Sequence, residues 1–272
     1  MLVELHCHTH YSRGKKILYD AVDSPQDMVR QAKRLGLGAI AITDHNTIQG
    51  ALKAQQYARI PVIIGEEISS CDGHILAVGI QETIPQNLTV PETIDCIRNQ
   101  GGVAIAAHPF DIHNDGVGEL CTMCDAVEVF NAQSLERRSN RKSLSFARQH
   151  GLPMVAGSDA HSAAMLGYGV NEVAGATADD VLVAIKRGAA KPHMRYVPLW
   201  VMQDLVVRKL KLSYTHTVNY MENHHSRILA ALVRQSIKMV KKSPGRIDAL
   251  FRLMTYLFLG GTIVYGGIRD LV

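Results

Sequence analysis

Seven short apolar runs punctuate the first 195 residues, at 2–5, 39–43, 61–65, 74–80, 103–107, 126–130 and 153–157. Most are apolar throughout rather than alternating, which predicts strands covered on both faces. The stretches between them carry helical spacing and punctuation. Ser24 is a natural N-cap, Pro25 suits the first helical position, Met28, Ala32 and Leu35 form an apolar stripe, and Gly36 is placed to stop the helix. Further helices are expected up to about residue 57, over about 91–99 and 134–150, and near 177–187, where Thr177 and Asp180 form a capping box. The link into the 74–80 run is short, so that strand is expected to run antiparallel to the one before it.

Strand–helix alternation of this length predicts a barrel or a doubly wound sheet. The polar residues choose between them. His6, His8, His45, Glu67, His108, Asn131, Asp159 and His161 all fall at or just past the C-terminal ends of their runs. A barrel brings those ends to one mouth, whereas an open sheet strings them along an edge. The expectation is an α/β barrel of seven strands over residues 1–195.

Composition sets the bounds. With 272 residues, 47% hydrophobic and 20% charged, the chain can bury a full core. A net charge of +4 argues against a surface built to coat nucleic acid, yet would not repel an anionic substrate. Five scattered cysteines and no signal peptide before Leu2 favour a reducing cytoplasm. Cys121 and Cys124 have CxxC spacing but lack the second pair of a zinc site, and read as small buried residues.

The chemistry lies in the histidines. His6 and His8, two apart on a strand, point to one side. With His45, His74, His108, His161, Glu67 and Asp159 they make eight candidate metal ligands. Each alone has an ordinary explanation, but gathering them unpaired at one mouth would cost several kcal/mol apiece. Eight ligands exceed one tetrahedral zinc, so two or three divalent ions are expected, with Glu67 suited to bridge two. Such ions outweigh the two carboxylates, leaving a cationic site suited to phosphoryl hydrolysis.

The ordered set His6-x-His8, Thr43-Asp44-His45, Gly65-Glu66-Glu67-Ile68-Ser69, His74, His108-Pro109 and Ser158-Asp159-Ala160-His161 resembles the motifs of the PHP (polymerase and histidinol phosphatase) family. The resemblance implies a distorted (β/α)7 TIM-like barrel with a trinuclear zinc, manganese or iron site that hydrolyses phosphoesters. It implies His6, His8, Glu67 and Asp159 on the first metal, and Glu67, His74 and His108 on the second. His45 and His161 would share the third, and the family's Gly-x-Glu spacing selects Glu67 over Glu66.

One position departs from the pattern. Where the family has an Asp or His that completes the third metal, this chain has Arg13. Arginine has no acceptor and cannot ligate a cation. Either Asp20 or His10 substitutes, or the third metal is weak, and Arg13 is left to grip a substrate phosphate or to remain a solvated loop charge. Arg13, Asp159 and His161 are the expected catalytic groups. The substrate is expected to be a small phosphomonoester, a nucleotide or a nucleic-acid end. The alternatives are a histidinol-phosphate-type phosphatase, an amidohydrolase, whose bridging lysine is missing from the strand ends, and a non-catalytic metal-bound scaffold.

From about residue 196 the alternation stops. Apolar positions at helical spacing predict an amphipathic helix over about 219–242, a break at Ser243-Pro244-Gly245, and a second apolar face over about 247–258. Residues 249–268 contain one charge, Arg252, and follow the basic residues Lys238, Lys241, Lys242 and Arg246. That pattern would serve a peripheral membrane anchor. Gly260, Gly261, Gly266 and Gly267 interrupt it, and favour a helical extension packed on the barrel or on a second copy of the chain.

Overall fold

The computed structural model describes residues 1–14, 17–111, 115–135 and 137–224, with scattered positions beyond. Nine strands form one sheet. In chain order they are β1 (Leu2–Glu4), β2 (Ala39–Ile42), β3 (Val62–Ser69), β4 (His74–Val78), β5 (Val103–Ala106), β6 (Ala126–Asn131), β7 (Met154–Gly157), β8 (Gly169–Glu172) and β9 (Lys191–Met194). The order across the sheet is β7-β6-β5-β4-β3-β2-β1-β8-β9. All seven expected runs are strands, and β4 is antiparallel to β3 as its short link requires.

Two strands, β8 and β9, were not legible as apolar runs. β8 is Gly-Val-Asn-Glu and β9 is Lys-Pro-His-Met, the latter largely exposed. β8 lies antiparallel to β1 and carries β9 on its other edge.

The sheet curls until it nearly closes. At the mouth, β1 continues into an isolated parallel bridge between Cys7 and Ala160, just beyond β7. His8 N donates to Ala160 O at 2.8 Å there. Further down, Asn171 of β8 stitches the seam with its side chain: its Oδ1 accepts from Ala156 N at 2.9 Å and its Nδ2 donates to Ala156 O at 2.7 Å. The result is a distorted TIM-like barrel.

Among the described residues the α-helices are α1 (Pro25–Arg34), α2 (Gln49–Gln55), α3 (Val90–Asn99), α4 (Arg137–His150), α5 (Ala178–Lys186), α6 (Leu199–Leu212) and α7 (Tyr214–His224). Ser24 caps α1 by accepting from Asp27 N, and Thr177 with Asp180 forms the expected capping box on α5. Strand alternation divides the core. In β2, Ala39 and Ala41 face the barrel interior with Val3, Leu5, Ile63, Leu76 and Ile105. Ile40 and Ile42 face outward onto Met28, Val29 and Ala32 of α1 and Ala51 and Ala54 of α2. The interior is thus filled below, and the strand ends above it are free to carry polar groups.

The extension begins earlier than its periodicity suggested. α6 was not expected, and α7 takes up the start of the predicted 219–242 helix. The break at 243–245 and most of the second apolar face lie outside the described residues. Among the described residues no helix is long and apolar enough to cross a membrane. Cys121 and Cys124 are buried free thiols in the outer core with Ile97 and Val127.

Candidate metal centre

All eight expected ligands meet at the mouth. Glu67 is their hub. Its Oε2 lies 3.3 Å from His6 Nε2, 3.2 Å from His8 Nε2 and 3.3 Å from His45 Nδ1. Its Oε1 lies 3.0 Å from His74 Nδ1 and 3.1 Å from His108 Nε2. The five rings follow one another around this carboxylate, with centroids 4.7 to 5.8 Å apart. Glu66, its neighbour in the strand, points the other way and accepts from Ile84 N.

Asp159 forms the second focus. Its Oδ1 is 3.5 Å from His6 Nε2, 3.2 Å from His8 Nε2 and 3.3 Å from His161 Nδ1. Two site residues hold left-handed backbone, His108 at φ 30° and Asp159 at φ 48°. For residues with a Cβ this is strained, and it persists where surrounding bonds over-determine it. Here Glu128 Oε2 takes His108 N at 2.8 Å, while Asn131 Nδ2 and Gln133 Nε2 both donate to Asp159 Oδ2.

Outer partners orient the rings. His6 Nδ1 meets Glu128 Oε1 at 2.8 Å, and His8 Nδ1 meets Ser12 Oγ at 3.1 Å. Ser12 Oγ in turn donates to Asp44, which also accepts from Thr9 N and Thr9 Oγ1. With Nδ1 occupied in both rings, Nε2 is the atom left to face the centre.

Of Arg13, His10 and Asp20, only Asp20 reaches the cluster. Arg13 is exposed and stacks on Tyr19, its guanidinium carbon 4.2 Å from the ring centroid. His10 stacks on Tyr11 instead of joining the cluster. Asp20 does join it: Oδ2 lies 2.7 Å from His161 Nε2 and 3.5 Å from His45 Nε2, and Oδ1 lies 2.8 Å from Lys209 Nζ.

The donor set suits divalent metals. His8 Nε2, His74 Nδ1 and Asp159 Oδ1 are buried without a hydrogen bond, although each has oppositely polar atoms within 3.5 Å. They converge without the alignment a hydrogen bond needs. Leaving such atoms unpaired costs about 1–3 kcal/mol each, which a shared cation removes. Nitrogen and oxygen donors in groups such as His6, His8 and Glu67, or His8, His45 and His161, lie within 4.8 Å of one another. The groups overlap, so distance alone does not divide the ligands among ions.

Charge follows the same pattern. Burial opposes ionisation of Glu67 and Asp159, yet the imidazoles around them hold both well below the usual carboxylate range. Burial would also lower His8, but Asp159 and Glu67 raise it to about 9. Burial dominates at His45 and lowers it to about 4, leaving a neutral ring.

Glu128, Asn131 and Lys209 complete the surroundings. Glu128 had a sequence signal, being the one charge in the apolar run 126–130. Lys209 had none, since it lies beyond the strand–helix repeat.

Known proteins place the chain in context. The PHP domain family matches residues 4–158, and a PHP-associated family matches 137–190. An uncharacterized protein of Methanocaldococcus jannaschii is 40% identical over 141 residues, covering 48% of this chain and 82% of its own. A 5'-3' exoribonuclease of Haemophilus influenzae is 31% identical over 109 residues, covering 38% of this chain and 37% of its own. A two-domain protein from Bacteroides vulgatus, described as containing a predicted PHP-like metal-dependent phosphoesterase, shares the fold at TM-score 0.60 and 16% identity. That match covers 78% of this chain and 69% of the other. The family match spans more than half the sequence and includes all the histidine motifs up to Ser158, so the chain belongs to the PHP domain family.

Proposed function

We propose that this chain is a metal-dependent phosphoesterase acting on a phosphomonoester or on a nucleotide or oligonucleotide phosphate. The observation that carries the reading is Glu67, one carboxylate surrounded by five imidazoles and facing them with both oxygens. A carboxylate in that bridging position favours a phosphoesterase over an amidohydrolase, and a full ligand set favours an enzyme over a scaffold. Divalent zinc, manganese or iron, when bound, would supply Lewis-acid activation of water and neutralise charge on the phosphate.

The protein's own groups have three tasks. His6, His8, Glu67, His74, His108 and Asp159 would hold a first pair of ions, and His45, His161 and Asp20 a third. Asp159, with Oδ1 turned to the centre, takes a proton from the attacking water. With no third ion bound, His161 Nε2, beside Asp20 at the rim, hands a proton to the leaving oxygen as the P–O bond breaks; a third ion there would instead supply the neutralisation of that oxygen. Arg13, on the same loop as Asp20, offers a cation to the more distant part of an anionic substrate. Residues 1–195 form the catalytic barrel, and 196–272 an extension that also serves contact between copies in a cytoplasmic enzyme. A panel of phosphomonoesters, nucleoside bisphosphates and short DNA or RNA, assayed with Mn²⁺ and Zn²⁺ separately, tests the reading. Absence of metal-dependent release of phosphate or nucleotide from every member would overturn it.

A further inference from the structure

Helix α6 lies outside both family matches, which end at residues 158 and 190, yet it reaches the candidate metal centre. Val201, Leu205, Lys209 and Ser213 recur every four residues and so share one face of the helix. Val201 and Leu205 are buried in the outer core cluster that includes Met28, Val29 and Met165, and Ser213 Oγ accepts from Tyr19 N at 3.1 Å. Lys209 therefore sits on the packed face, its side chain 17% exposed, where another apolar residue would serve packing better.

The helix is anchored without it. The neighbouring Arg208 grips both carboxylate oxygens of Asp23, and Ser213 fixes the far end. Lys209 turns to Asp20, the rim carboxylate whose other oxygen meets His161 and His45. Among the described residues it is the lysine or arginine paired with a carboxylate of the cluster. An ammonium beside a multi-cation site is repelled by the ions, and Asp20 alone cannot offset several divalent charges. An incoming anion can. An ammonium also has three donors, of which Asp20 uses one.

We propose that Lys209 is a substrate-binding residue, supplied by the C-terminal extension, that donates to a phosphate oxygen beside the His45–His161–Asp20 position. This rests on the phosphoesterase reading above. It also gives the extension a role: by docking on the 19–23 loop, α6 completes the mouth of the barrel. A chain lacking α6 would keep every metal ligand and lose this donor.

The test compares the full-length, Mn²⁺-loaded parent with Lys209→Met and Lys209→Arg. Calorimetric titration with inorganic phosphate gives affinity, and elemental analysis gives metal content. Lys209→Met should weaken phosphate binding about tenfold or more at unchanged metal content and melting temperature, and raise KM more than it lowers kcat. Lys209→Arg should recover most of the affinity. Equal phosphate affinity in Lys209→Met and parent would overturn the assignment, as would a loss of bound metal that accounts for the change. Failure of the parent to bind phosphate would instead overturn the phosphoesterase reading, and this inference with it.

Discussion

His6 Nδ1 and Glu128 Oε1 lie 2.8 Å apart, both fully buried, on neighbouring sides of the barrel mouth. The carboxylate accepts the Nδ1 proton, so a neutral His6, the form that binds a metal, carries its lone pair on Nε2, the atom that faces Glu67 and Asp159. Glu128 does more than select a tautomer. Its other oxygen takes His108 N and Asn131 Nδ2, so one carboxylate positions the His6 ring, the strained backbone of His108 and the amide that steadies Asp159.

Glu128→Ala should therefore behave as a metal-site variant although Glu128 faces no metal position. Loss of such an outer partner typically costs about 10–100-fold in metal affinity. It also leaves His108 N unpaired, at about 1–3 kcal/mol of stability. Glu128→Gln keeps an acceptor for His6 and should lose less. Competition with a fluorescent chelator measures the affinities. Parent-like affinity in Glu128→Ala would show that the packed barrel alone orients His6.

Gly157 tests the same contact from the other strand. A Cβ there would fall 2.0 Å from Glu128 Oε1 and 2.6 Å from His6 Cβ. Gly157→Ala should push the pair apart and reproduce the metal defect of Glu128→Ala, with a lower melting temperature. Chelator competition and thermal melting read both effects. A variant that melts early but binds metal normally would separate packing at β7 from the site.

Removing the hub is the more drastic change. Glu67→Ala removes the one carboxylate that faces five imidazoles, so bound metal should fall by at least one equivalent and hydrolysis should be lost. In the parent, saturating metal should raise the melting temperature, because a ligand at a hundred times its Kd stabilises the native state by about 2.7 kcal/mol. Elemental analysis and melting curves with and without chelator check both. Full metal content in Glu67→Ala would remove Glu67 from the bridging role.

The cluster was legible because strand ends put its residues there: an apolar run followed by a histidine or carboxylate identifies both the strand and the residue it delivers. Asp20's place beside the cluster was legible only as one alternative among several, because the 9–23 segment has no periodicity, and its start depends on Asp44 holding Thr9 and Ser12. β8 and β9 escaped notice because neither is an apolar run. β8 is held by backbone pairing to β1 and by the side chain of Asn171, and β9 is an exposed edge. α6 escaped for the opposite reason: Trp200 and Val206 are exposed while Gln203 is buried, which blurs its periodicity.

Asp20 and Arg13 now make a direct comparison. Asp20→Ala should lose the metal equivalent shared by His45 and His161, with the other ions retained. Arg13→Ala should keep full metal content, because its guanidinium lies on Tyr19 and outside the cluster. That stacking is worth about 0.5–1 kcal/mol at an exposed site, so little stability is at stake. Arg13→Asp should not raise metal content, since Asp20 already stands at the open position. A gain of metal in Arg13→Asp, or none lost in Asp20→Ala, would return the ligand role to the Arg13 position.

Metal uptake should also release protons. Burial opposes the charged form of His8, but Asp159 and Glu67 outweigh it and raise the ring from 6.5 to about 9. The metal-free protein at pH 7.5 thus carries a proton on His8 that a ligand imidazole must give up. Calorimetric titration with Mn²⁺ in buffers of different ionisation enthalpy should show apparent heats that vary with the buffer, corresponding to release of about one proton or more. The same shift sets how the stability of the metal-free protein depends on pH. A folded pKa above the unfolded one stabilises fully below about pH 6.5, and that contribution fades as pH rises toward 9. Metal-loaded protein, with His8 neutral at both ends of this range, should lack the slope. Heats independent of buffer would mean that His8 is already neutral before metal binds, and that the two carboxylates are neutralised by another group.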